Sequence, residues 1–215
     1  MDNELKKIFD LSDTIILDFD GVVLDSVNIK GECFYDLYKS FNLNIAKNVL
    51  DHHLKNGGMS RYDKFKFYHK EYLDIEIDER SLNDLVEKFK NLSLKKIIKA
   101  PQIPGVFNFI KKNFNRKDLY ICSAAPKNEL DYILKKINLF KFFKGIYGSP
   151  TSKRSNLINI INKEVNKNYI FIGDSINDYS ASKNLNLDFI GLGDYFKNNT
   201  VSKFYIENFL FMNSL

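Results

Sequence analysis

The sequence predicts an α/β fold: a doubly wound parallel sheet with an inserted all-helical module. Three observations carry that expectation. Five short, β-rich apolar runs are each bounded by Gly, Pro, Ser or Asp. Helical patterns alternate with the later runs, as they do when helices cover both faces of a parallel sheet. A long stretch after the first run breaks this rhythm and holds no convincing strand.

In chain order, the first strand is Thr14 to Asp18, in "TIILD". About four amphipathic helices follow, as in Tyr62, Phe65, Tyr68 and Tyr72 after a Ser60 cap with Asp63 three residues on. The exit from this module, "APQIPG" at 100–105, holds two of the chain's four prolines, as a hinge would. Then come a helix over Val106, Phe109 and Ile110, a strand at Leu119 to Ser123, and a helix through Leu130, Ile133, Leu134 and Ile137. A strand at Gly145 to Tyr147, a helix through Leu157, Ile158, Ile160 and Ile161, and strands at Tyr169 to Gly173 and Asp188 to Leu192 complete the pattern. The division expected is a core of residues 1–25 and 101–215 and an inserted helical domain of residues 26–100.

Composition narrows the function. With 215 residues, 44% apolar and 14% aromatic, the chain has ample material for a packed core. Its apolar runs are too short to span a bilayer, and "MDNELKKIFDLSD" lacks the order of a signal peptide, so a cytoplasmic protein without membrane association is expected. Cys33 and Cys122 form no CxxC pair and read as buried free thiols. The net charge of +5 is scattered, without the basic stripe of a nucleic-acid binder, and suits a small anionic substrate equally well. No signal for an oligomeric state is present.

The chemistry gathers at the strand ends. Asp18 and Asp20 follow the first strand, Ser123 the second, and "GDSIND", with Asp174 and Asp178, the fourth; Lys153 starts the helix after the third. In open parallel sheets these ends form one rim. Four carboxylates there would repel one another without a cation, and hard oxygen ligands favour Mg2+. All three histidines, His52, His53 and His69, lie in the insertion, so the core has no Ser-His-Asp triad and no histidine-rich zinc site. Cys122 has Asn128 six residues on, where a cysteine phosphatase needs arginine, and no G-x-x-x-x-G-K loop is present. Carboxylate, hydroxyl, lysine and metal remain, and a carboxylate can attack phosphorus to form an aspartyl phosphate.

"LDFDGVVLDS", "ICSAAP", Lys153 and "GDSINDYSAS", in that order, resemble the four motifs of the haloacid dehalogenase-like hydrolase superfamily. The insertion resembles the helical cap of its phosphoglycolate phosphatase and β-phosphoglucomutase branch. The resemblance implies Asp18 as nucleophile and Asp20 as the acid that protonates the leaving oxygen and then activates water. It implies that Ser123 and the Ala124 amide bind phosphoryl oxygens, that Lys153 balances charge, and that Asp18, the Asp20 carbonyl, Asp174 and Asp178 hold Mg2+. Gly21 would permit the turn that brings amides to the phosphate. The substrate implied is a small phosphorylated metabolite: a sugar phosphate first, then phosphoglycolate or a nucleoside monophosphate. A sugar phosphomutase, or a non-catalytic phosphate-binding regulator, is the alternative.

Three further readings concern less specific residues. Asp178 could simply favour a helix dipole. Asp25 and Ser26 are expected to cap the first inserted helix rather than serve the substrate. In "HHLKNGGMSRYDKFKFYHK", Arg61 and His53 are candidate substrate-binding residues, because an arginine fork suits a second anionic group or a sugar; the plain alternative is ordinary helix surface.

Overall fold

Thr14–Leu17 forms β1, the central strand of a six-stranded sheet, and all four of its residues are buried. The computed structural model describes residues 2–163, 166–199 and 201–212. The other strands are β2 (Asp118–Pro126), β3 (Gly145–Ser149), β4 (Tyr169–Gly173), β5 (Asp188–Leu192) and β6 (Phe204–Ile206). Their order is β3-β2-β1-β4-β5-β6 and every pairing is parallel. A strand covered on both faces needs apolar residues at every position, which is why "TIIL" and "YIFIG" read as continuous rather than alternating runs.

Register positions the site. Leu17 pairs with Ile121 on one side and Ile172 on the other, so the chain after each strand emerges at one level of the same rim. The Asp18 amide still donates to Ile172 O at 2.9 Å. Helices α1 (Asp2–Leu11), α6 (Val106–Asn113), α7 (Lys127–Lys136), α8 (Lys153–Ile161), α9 (Ile176–Ser182) and α10 (Asp194–Asn198) belong to the sheet-bearing part. Ile15, Leu17, Phe109 and Leu130 share one apolar cluster, whereas Ile16, Cys122, Leu157 and Phe171 share another.

The insertion comprises α2 (Val27–Tyr38), α3 (Leu43–Lys55), α4 (Arg61–Tyr68), which continues into a π-helical turn at His69–Leu73, and α5 (Glu79–Ile97). These helices close on an apolar cluster of their own, including Cys33, Phe34, Tyr38, Phe65, Tyr68 and Phe89. Both cysteines are buried free thiols. The two connections to the sheet pair with each other: Leu24 bridges Gln102 in antiparallel fashion, and the Asp25 amide donates to Pro101 O at 2.8 Å. Among the described residues no helix is long and apolar enough to cross a membrane.

Helix α1, a 3-10 turn at Phe140–Phe142, helix α10 and strand β6 lie outside the sequence expectation. Helix α1 buries Leu5 and Phe9, one turn apart, against the sheet. Strand β6, only three residues long, extends the edge beyond β5. Strands β2 and β3 also run further than expected, to Pro126 and Ser149.

Phe34 contacts the rings of Phe65, Tyr68 and Phe89 in the inserted cluster. Phe34→Ala should destabilise that cluster by about 3–5 kcal/mol. Because the sheet has separate apolar clusters, native-state hydrogen exchange should accelerate in α2 to α5 while β1 and β4 stay protected. Uniform acceleration in both would show that they unfold as one unit.

Candidate active site

Asp18, directly after β1, is 3% exposed. Its Oδ2 lies 3.1 Å from Lys153 Nζ, and its Oδ1 is buried with no hydrogen-bond partner. Burial pushes the carboxyl up to about 7; Lys153 opposes that rise, while Asp178 and Asp20 add to it. Asp174 follows β4, and burial with repulsion from Asp178 and Asp18 raises it well above the carboxylate range. Asp178 is fully buried at the third position of α9, where it forms a capping box with Ser175: the Ser175 amide donates to Asp178 Oδ2 at 3.1 Å and the Asp178 amide donates to Ser175 Oγ at 3.3 Å. Its Oδ1 accepts from Lys153. Oxygens of Asp18, Asp174 and Asp178 all lie within 4.8 Å of one another.

Lys153 is delivered by the first residue of α8, whose start is capped by Ser152 accepting from the Ser155 amide at 3.1 Å. Burial alone would discharge this lysine, but Asp178 and Asp18 outweigh it and hold the ammonium charged. Gly21 sits over the cluster with φ +79°, and a Cβ there would come 2.1 Å from Asp174 Oδ2. Only glycine lets this turn cross the carboxylates. Ser123 is buried near the end of β2, where the register with β3 shifts between Cys122 and Pro126. The Ser123 hydroxyl accepts from the Ala125 amide at 3.3 Å, and Ser123, Ala124 and Asp18 line one cavity.

Asp20 stands two residues beyond Asp18 and is held from the insertion side. Ser26 Oγ donates to its Oδ1 at 2.6 Å, and Lys30 Nζ bonds its Oδ2. Burial works against the charge, but Lys30, with help from Ser26, holds this carboxyl below its usual range. This corrects the expectation for Ser26. It does precede α2, yet its side chain makes no cap bond: its backbone (φ −114°, ψ −3°) is not in the extended conformation of a capping residue, and its hydroxyl points to Asp20. The sequence reading did not identify Lys30; its signal is the four-residue step from Ser26, which puts both side chains on one face at the helix start.

The cap-side candidates are arranged unequally. The guanidinium of Arg61 makes a buried bidentate pair with Glu129 of α7, Nη1 to Oε1 at 2.8 Å and Nη2 to Oε2 at 2.6 Å, and lies 4.8 Å from the centre of the Phe89 ring. Its fork therefore joins the insertion to the sheet-bearing part. His53 is buried, with Nε2 3.0 Å from Val27 O and Nδ1 2.8 Å from Lys64 Nζ. Burial, reinforced by Lys64, drives its imidazole down to about 3, so the ring is neutral, donating through Nε2 and accepting at Nδ1. Gly57 and Gly58 press on the start of α9: Asn177 Nδ2 donates to Gly57 O at 3.3 Å, and a Cβ on Gly58 would lie 3.0 Å from that of Asn177. The enclosed cavity measures about 60 Å³ and is bounded by Asp18, Asp20, Ser123, Arg61 and Lys64, among others.

A family model described as haloacid dehalogenase-like hydrolase matches residues 15–192. The chain belongs to the haloacid dehalogenase-like hydrolases. Among solved structures, this hydrolase is similar to a predicted phosphoglycolate phosphatase from Haemophilus somnus (TM-score 0.71, 14% identity, covering 95% of this chain and 97% of that one). It is also similar to a β-phosphoglucomutase from Clostridium difficile (0.69, 18%, 95% and 93%) and to a haloacid dehalogenase-like hydrolase from Streptococcus pneumoniae (0.68, 15%, 92% and 95%). No curated protein matches.

The Arg61–Glu129 pair is buried on both sides. Arg61→Ala should therefore lower stability in urea denaturation by about 3–5 kcal/mol, because Glu129 is left as an unpaired buried charge. Arg61→Met combined with Glu129→Gln should recover much of that loss. A single mutant as stable as the wild type would show that the pair does not form in solution.

Proposed function

We propose that the protein is a cytoplasmic, Mg2+-dependent phosphatase that hydrolyses a small phosphomonoester through an aspartyl phosphate on Asp18. One observation carries the reading: a buried nucleophile-grade carboxylate whose free oxygen has no protein partner, set between two further carboxylates and a lysine. The donor set is all hard oxygen, and the upward shifts of Asp18 and Asp174 indicate that Lys153 alone does not balance their charge. Asp18, Asp174 and the Asp20 carbonyl would hold Mg2+, with Asp178 beside them anchoring Lys153. When bound, Mg2+ supplies charge neutralisation between the phosphoryl group and the attacking carboxylate.

The chain's own residues carry the steps. Asp18 attacks phosphorus as the alcohol departs, and Asp20 gives the leaving oxygen a proton. Asp20 then takes a proton from water, which attacks the phosphoryl group and restores Asp18. Lys30 and Ser26 favour the ionised Asp20 that the second half requires. Ser123 and the amide of Ala124 bind phosphoryl oxygens, and Lys153 orients Asp18 and offsets part of its charge. The cap of residues 26–100 closes on the core of residues 1–25 and 101–215 to shed water. Two buried free thiols fit a reducing compartment.

Asp18→Asn should lower phosphate release by several powers of ten in a correctly folded protein. Asp20→Asn should instead trap a species heavier by one phosphoryl group, visible by intact-protein mass spectrometry. Substantial turnover by the first variant would sink the nucleophile assignment. Isomerised sugar phosphate without free phosphate would replace hydrolysis by mutase chemistry.

Chelation should abolish release, and Mg2+ should restore it. Ca2+ should not, since its larger, looser shell spoils in-line geometry. Full activity in metal-free buffer would contradict the model.

A further inference from the structure

The cap wall of the cavity carries three cations, and they are not equivalent. Lys30 is paired with Asp20, and Arg61 with Glu129. Lys64, on α4, is 3% exposed and, among the described residues, pairs with no carboxylate. Its nearest polar contact is the neutral His53 Nδ1 at 2.8 Å, with the Phe34 ring 5.7 Å away. An ammonium has three N–H donors, so two remain after His53 is served. A buried cation without a counter-ion is costly to keep, and burial together with the nearby Lys30 pulls its pKa down to about 7. His53 is fixed from behind by Val27 O, so Lys64 is held in place along the cavity wall.

The rest of that wall is formed by Val27, Phe34, Met59 and Phe89 together with the Gly57–Gly58 turn, and none of these side chains carries charge.

We propose that Lys64 is the specificity-determining residue of this enzyme and reads an anionic group, a carboxylate or a second phosphoryl group, at the non-reacting end of the phosphomonoester. This rests on the phosphatase reading above. An incoming anion supplies the counter-charge that the already buried Lys64 lacks.

The test compares three esters of equal chain length in Mg2+ buffer: propyl phosphate, 3-(phosphonooxy)propanoate and propane-1,3-diol bisphosphate. Calorimetric Kd values are measured in parallel for the non-hydrolysable propylphosphonate, 3-phosphonopropanoate and propane-1,3-bisphosphonate. The wild type should favour one or both anionic members in kcat/KM and in Kd by about tenfold or more, and the preferred arm identifies carboxylate or phosphoryl. In Lys64→Met and Lys64→Gln that preference should be lost, the ratio of charged to uncharged members falling to about one. Equal treatment of the charged and uncharged ligands by the wild type overturns the proposal even if both variants misfold. So does a preference that survives in folded variants. If no ester turns over but the Kd preference is present and is lost with Lys64, the anion site stands and the phosphatase reading falls. Turnover without preference gives the converse.

Discussion

Parallel register brings Asp18 and Asp174 to the same rim level, and the first turn of α9 adds Asp178. Their mutual repulsion is the constraint on which the surrounding structure depends. Lys153 at the head of α8 answers part of it, bonding Asp178 and approaching Asp18. The capping box ties Asp178 to the backbone, so this carboxylate anchors both a helix start and the lysine. Gly21 has to be glycine because no side chain fits between the turn and Asp174. What remains unanswered is one buried oxygen of Asp18, and there the fold has concentrated negative charge that only an added cation or a proton relieves.

The insertion repeats this logic with the signs reversed. It brings Lys30, Arg61 and Lys64 to the cavity, and each is treated differently by its neighbours. Arg61 is neutralised by Glu129 and serves as a clamp between the two parts. Lys30 reaches across to Asp20, so helix α2 sets the state of a residue that belongs to the sheet rim. The site is thus completed only when the insertion lies against the sheet, and the Gly57–Gly58 turn adds a further contact with α9.

Much of this arrangement was legible because it is local. Each strand end is marked by an apolar run that stops at Asp, Ser or Gly, so the positions of Asp18, Ser123 and Asp174 could be read in order. The pairing of Arg61 with Glu129 spans 68 residues and leaves no periodic trace, so an arginine fork looked available that is in fact engaged. Ser26 reads as a helix cap, and without tertiary structure nothing reveals that Asp20 competes for its hydroxyl. Strand β6 is too short for a pattern. Helix α1 did carry one, Leu5 and Phe9 a turn apart, but in a charged N-terminal stretch it was not taken as an element.

The insertion leaves and re-enters the sheet through two segments that hydrogen-bond to each other, Leu24 against Gln102 and Asp25 against Pro101. For the host fold, about seventy-five residues are thereby equivalent to a tight turn, because loop-closure entropy depends on where the ends lie and grows only slowly with what lies between them. Such a junction makes the inserted helices modular. A different helical hairpin, or a shorter loop, can be spliced at the same two points without disturbing the register that gathers the carboxylates. What such a splice would change is Asp20, whose partner Lys30 leaves with α2.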